Sequence, residues 1–120
     1  MFSLFILSSC EKDLVMDLYV KNNCDKPIVV EGMNSSYKGY QTYIYDTIFS
    51  NTTKIIYQHK TIQAAFVGKE TIPVIIEQLH IKKEGKETTM NTLDANNWDF
   101  ERISHSEAKA VLSIKPEDFE

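Results

Sequence analysis

Side chains branched at Cβ dominate this chain. Valine, isoleucine and threonine number 29, against 12 alanines and leucines. Two heavy atoms on Cβ leave one comfortable χ1 rotamer in a helix but pack well on a pleated surface, so the excess points to strands. The order of residues agrees. From Leu14 to Lys21, Met16, Leu18 and Val20 fall on one face and Asp17 and Lys21 on the other, the period-two signature of a half-buried strand. Near the other end, Ala110, Leu112 and Ile114 alternate with Lys109, Ser113 and Lys115. This alternation outweighs the helix capping box spelled by Ser104 and Glu107, so a short turn and a last strand are predicted there, ended by Pro116 because proline has no N–H to donate.

Turn residues cut the rest into similar lengths. Asn22 to Pro27 reads as a turn, and Ile28 to Glu31 as a second strand ended by Gly32 and Asn34. Gln41 to Phe49 is dense in aromatic and β-branched residues, Ser50 to Thr53 interrupts, and Lys54 to Gln58 resumes. Thr61 to Val67 follows, closed by Gly68. Ile72 to Lys83 is the strongest run, and Glu84-Gly85-Lys86 forms a hairpin loop into Glu87 to Thr92. Asp94 to Asn97 is a loop that delivers Trp98 and Phe100 to the core. About seven strands in one domain, residues 14–120, imply an all-β antiparallel sandwich.

Before that domain stands Leu7-Ser8-Ser9-Cys10, after the apolar stub Phe2 to Ile6 and before Glu11-Lys12-Asp13. It resembles the lipobox of bacterial lipoproteins, in which a leucine, two small residues and a cysteine end a signal peptide. The resemblance implies that residues 1–9 are the remnant of a signal peptide. Cys10 then carries the lipid, and residues 10–13 are a short linker. The chemistry explains the residue types: only small side chains fit the peptidase slot before the cut, and the thiol must be free to take a diacylglyceryl thioether. The alternative is a buried first strand, Phe2 to Leu7, with a free cysteine after it. Secretory signals open with positive charge and carry about 7 to 15 apolar residues, whereas the first basic residue here is Lys12. The second cysteine, Cys24, is read as a small apolar side chain at a strand end, with no base in the sequence to activate it.

The layout also resembles small uncharacterised envelope lipoproteins of Bacteroidales-type bacteria. The likeness rests on Leu7 to Asp13, on Val20 to Ile28 and on Val111 to Phe119. It implies an immunoglobulin-like sandwich held by lipid at the outer membrane, on its periplasmic or surface side, and supplies no catalytic residues. In the same group, Asp-Thr-aliphatic triplets are O-glycosylated. Asp46-Thr47-Ile48 matches that pattern, with Thr47 as the acceptor.

Most chemistries find no constellation of residues. A net charge of −4 with interspersed signs argues against nucleic acid, which calls for a basic stripe. His59, His80 and His105 are far apart and none forms a ligand pair, so no metal or other cofactor is expected. Four glycines and the absence of a nucleophile elbow or phosphate loop leave no basis for an enzyme.

What remains is binding or scaffolding, with the membrane as one partner and a glycan or a protein as another. Tyr37, Tyr40, Tyr43 and Tyr45 crowd into nine residues among Asn34, Lys38 and Gln41. If this stretch is a strand, Tyr43 and Tyr45 project to one face. The first expectation for such rings is packing across neighbouring strands. The second is a ligand surface of Tyr40, Tyr43 and Tyr45 with Trp98 nearby, because tyrosine offers a broad apolar face and a polar tip at low entropic cost. A structural or accessory subunit of a surface fibre is the other role open to such a domain, and would require an unpaired edge or a donated terminal strand.

Overall fold

The computed structural model describes residues 13–35, 41–61 and 67–120. Among them the chain forms eight strands in two four-stranded sheets packed face to face. The first sheet runs in the order β4 (Thr53–Thr61), β1 (Leu14–Asn22), β8 (Glu107–Ile114) and β7 (Trp98–Arg102). The second runs β3 (Tyr43–Ile48), β2 (Ile28–Asn34), β5 (Ile76–Lys83) and β6 (Lys86–Glu87). The expected all-β sandwich is present, with eight strands rather than seven. It is also not wholly antiparallel: β1 and β8 lie side by side and parallel at the centre of their sheet, Val15 opposite Glu107 through Asn22 opposite Ile114.

The two alternating segments became these two central strands for a physical reason. Leu14, Met16, Leu18 and Val20 of β1 and Ala108, Ala110, Leu112 and Ile114 of β8 are buried, all on the face turned to the second sheet. A one-residue slip would turn every one of these side chains to solvent, so the core fixes the register. Ile28, Val30, Ile44, Ile48, Ile76, Leu79 and Ile81 supply the facing layer. Trp98 enters on β7 and is buried, its indole N–H donating to the carbonyl of Thr92 at 2.8 Å.

Three segments differ from their predicted form. Gly32 does not end β2, which continues to Asn34. A Cβ at Gly32 would sit 2.3 Å from the carbonyl oxygen of Gln78, so this glycine permits the close approach of β5. Ile72 to Lys83 is not one strand: Ile72–Ile75 is a single helical turn, α1, with Pro73 in its first turn, and β5 starts at Ile76. Inside β5, Met33 pairs with Gln78 and Asn34 with Ile76, leaving Glu77 as an extra residue. That bulge exposes Glu77 and Gln78 together and keeps both Ile76 and Leu79 inside.

The hairpin after β5 forms as expected. Glu84 (φ 52°) and Gly85 (φ 82°) make the two left-handed central positions of a tight turn, with Lys83 opposite Lys86. Its second strand is only two residues long, because the chain then crosses to the C-terminal turn, where Thr88 and Thr89 both donate hydroxyl protons to the carbonyl of Asp118. Pro116–Phe119 is a 3₁₀ turn that closes the ladder after β8 and buries Phe119. Glu107 opens β8 rather than capping a helix, and its carbonyl accepts from the N–H of Ile103 and of Ser104 in the β7–β8 turn. Thr61 ends β4, and residues 62–66 of the strand predicted after it lie outside the described residues.

One buried polar residue holds the two sheets together at a corner. Asn22, fully buried, donates from Nδ2 to the carbonyls of Lys26 (2.8 Å) and Ile48 (3.0 Å), and its Oδ1 accepts from the N–H of Cys24 (2.8 Å). The predicted turn 22–27 thus owes its shape to a side chain that bridges β1 to the end of β3.

Candidate functional site

The outer face of β3, β2 and β5 carries the strongest candidate. In β3, Ile44 and Ile48 turn to the core, so alternation puts Tyr43, Tyr45 and Thr47 on the opposite, solvent side. Tyr43 is 80% exposed and Tyr45 69%. Cross-strand packing, the first expectation for these rings, therefore does not hold for this pair. The register then sets their neighbours: Tyr45 lies opposite Glu31, which lies opposite His80, and Tyr43 lies opposite Met33, which lies opposite Gln78.

These two rows enclose a shallow groove of about 300 Å³ lined by Glu31, Gly32, Met33, Tyr43, Ile44, Tyr45, Gln78 and His80. That is the lower end of the range for small-ligand sites. Its polar rim is paired. His80 Nδ1 lies 3.0 Å from Glu87 Oε2 and Lys82 Nζ lies 3.7 Å from Glu31 Oε1. Both pairs are solvent-exposed, so they orient side chains more than they stabilise the fold. The groove offers two flat aromatic faces, a thioether, an amide and a carboxylate within one surface. Planar apolar rings with flanking donors and acceptors can take the C–H face of a sugar ring or a side chain of a peptide, and fix it by hydrogen bonds to hydroxyls or amides.

Trp98 does not belong to this surface. It sits on β7 in the other sheet, 3% exposed, with its one donor spent on Thr92. Large aromatic area next to an apolar layer is stabilised by burial, which wins over any surface role. Delivery of Trp98 to the core is correct; a place beside the tyrosines is not. Phe100, two residues on, is half-buried against the same core. Tyr40 and Cys10 lie outside the described residues. Thr47 is exposed on the same face, at the end of the strand farther from Tyr43.

The sequence did not single out Glu31, Met33, Gln78 or Glu87, and His80 stood out there only as a metal ligand to be weighed. Alternation within β2 places Glu31 and Met33 outward, a signal present in the sequence. The β5 residues were hidden by the bulge at Glu77, which breaks the period.

The remaining chemically versatile side chains are elsewhere. Cys24 is buried with a free thiol, and desolvation pushes its pKa above the ordinary value. That favours the unreactive thiol over the thiolate nucleophile. His59, on β4, has its pKa lowered by burial, which disfavours the charged ring. Among the described residues no three of His, Cys, Asp or Glu converge as a metal site, and no helix is long and apolar enough to cross a membrane.

Searches of protein families, of curated proteins and of solved structures found no match to this chain.

Proposed function

We propose that this is a lipid-anchored protein of the bacterial outer membrane whose β3–β2–β5 face binds a glycan. The observation that carries the binding reading is the pair of rings, Tyr43 and Tyr45, exposed side by side over a groove edged by Glu31, Gln78 and His80. Single exposed apolar side chains are ordinary on any surface. Two adjacent rings of one face above a concavity, with acceptors and donors opposite, are the arrangement that a sugar's apolar face and hydroxyl edge complement. The anchor rests on the lipobox-like residues ending at Cys10, and Thr47, exposed beside Asp46, is the candidate acceptor of an O-linked glycan.

The placement of β1 argues against a fibre subunit that donates its first strand. A donated strand should be free to leave its own domain, whereas β1 is paired along its length between β4 and β8 and buries Leu14, Met16, Leu18 and Val20. A glycan array probed with the protein and with its Tyr43→Ala and Tyr45→Ala variants tests the reading. Each variant should lose binding while its stability changes by less than about 1 kcal/mol, as expected for exposed side chains. Absence of any bound glycan, or binding retained in both variants, would overturn it; binding to a peptide array alone would move the ligand to that class.

A further inference from the structure

We infer that two copies of this chain associate through the open edge of β3 about a two-fold axis, joining the β3–β2–β5–β6 sheets into one continuous eight-stranded sheet. The inference is independent of the glycan reading, because backbone groups carry it.

The hydrogen-bonding phase of β3 supplies the first step. The N–H of Asn34 donates to the carbonyl of Thr42 at 3.2 Å, and β2 and β3 run antiparallel in unbroken register from there. Hydrogen-bonded and non-bonded pairs alternate in such a ladder, so Ile44, Asp46 and Ile48 exchange bonds with β2. The N–H and C=O groups of Tyr43, Tyr45 and Thr47 then point away from β2, and among the described residues β3 pairs with no strand on that side.

Proteins guard such edges, because a row of open donors and acceptors is a template for another strand. The other three edges are guarded. β6 is two residues long, β4 carries Lys54 and Lys60 and is broken by a bulge at Ile56, and β7 sets Asp99, Glu101 and Arg102 within five residues. β3 has no proline, no lysine, no arginine and no bulge. Its one charge, Asp46, is held by Lys54 at 2.6 Å, with its side chain on the inner face, so two β3 strands meet without charge repulsion.

A second copy is the occupant whose pattern fits. An antiparallel pair of identical strands is self-complementary, as a two-fold interface requires. With the axis at Tyr45, Tyr45 faces its own counterpart and Tyr43 faces Thr47 of the second copy. All three are residues whose backbone groups point outward, so each pair exchanges two bonds. Asp46 then faces Ile44 of the second copy rather than another carboxylate. The two tyrosine pairs become one platform across the axis.

Sedimentation equilibrium of the full chain carrying Cys10→Ser, from roughly 10 μM to 1 mM, spans the affinities of small interfaces. It should show a monomer–dimer equilibrium. Thr47→Pro removes one outward N–H, at an edge position where proline is tolerated, and should weaken association at least tenfold with circular dichroism unchanged. Tyr45→Lys, which sets two ammonium groups at the axis, should abolish it and serves as the test if the proline variant unfolds. On mild oxidation Tyr45→Cys should cross-link two chains, since opposed residues of a bonded pair lie about 5.5 Å apart between Cα atoms, within disulfide range; Tyr43→Cys, facing Thr47, should not. A mass that stays monomeric throughout, or a dimer that survives Tyr45→Lys, would overturn the inference.

Discussion

Replacing Asn22 with alanine tests the corner that joins the two sheets. The substitution removes three hydrogen bonds at once: Nδ2 to the carbonyls of Lys26 and Ile48, and the N–H of Cys24 to Oδ1. The Lys26 carbonyl is only partly buried and can turn to water, so its loss costs about 1 kcal/mol. The bonds to Ile48 and Cys24 are buried, and a buried group left unpaired costs about 1–3 kcal/mol each. The total is about 3–7 kcal/mol, a large share of the roughly 5–15 kcal/mol by which domains are stable. Urea unfolding followed by the fluorescence of Trp98, the single tryptophan, reads this as a lower midpoint at unchanged slope. Asn22→Asp separates donor loss from shape. Its carboxylate can still accept from Cys24 but faces two carbonyl oxygens, which raises its folded pKa. A group whose folded pKa is raised contributes stability below its unfolded value, about 3.9 for Asp, and loses it as pH rises through the folded pKa. The aspartate variant should therefore approach the parent in stability as pH falls toward 4. A cost below about 1 kcal/mol for Asn22→Ala, or a pH-independent deficit for Asn22→Asp, would refute the bridging role.

Gly32→Ala should destabilise by more than about 2 kcal/mol in the same assay, because its Cβ meets the backbone oxygen of Gln78 at 2.3 Å and β2 and β5 must separate. His59 should make the fold less stable as pH falls below about 6.5: its folded pKa is depressed by burial, so the unfolded chain takes up the proton first, and His59→Gln should flatten that window. Cys24, raised by desolvation, has the opposite sign. Its contribution is intact below about pH 8.5 and lost as pH rises through the folded value, and the thiol should resist aqueous thiol reagents until the protein unfolds. Cys10→Ala should move the protein from the membrane to the soluble fraction of cells, and unchanged retention or an intact mass without acyl chains at Cys10 would end the lipoprotein reading.

What could be read from the sequence was the part governed by a single period. β1 and β8 alternate without interruption and carry eight of the twenty buried hydrophobic side chains among the described residues, so their positions and inward faces were legible residue by residue. Partners were not. That β1 and β8 lie parallel and adjacent depends on how the chain between them is wound, and no local pattern encodes it. The bulge at Glu77 and the close approach at Gly32 are responses to tertiary contact. They turned a predicted strand end into a strand interior and hid Gln78 and His80. The tyrosines show the same division. Their common face followed from spacing two residues apart, but which face lay outward depended on Ile44 and Ile48 finding the core.

The strand directions also set how the groove stands relative to an anchor at Cys10. β1 starts at Leu14, beside Thr61 and Glu107, and ends at Asn22, whose side chain bonds the carbonyl of Ile48. β3 therefore runs from Tyr43 at the Leu14 end to Ile48 at the Asn22 end, since the strands of facing sheets stay within about 30° of each other. Residues 10–13 can span at most about 14 Å. If Cys10 carries lipid, as proposed, the Tyr43 end of the groove lies toward the membrane and Thr47 away from it. Inserting about 20 flexible Gly/Ser residues between Asp13 and Leu14 should leave affinity for a soluble oligosaccharide unchanged, because the groove is untouched. It should increase binding of polymeric glycan on intact outer-membrane vesicles, because the tether no longer holds Tyr43 near the lipid. Equal binding of the polymer by both tether lengths would show that the Tyr43 end is not the membrane-facing one.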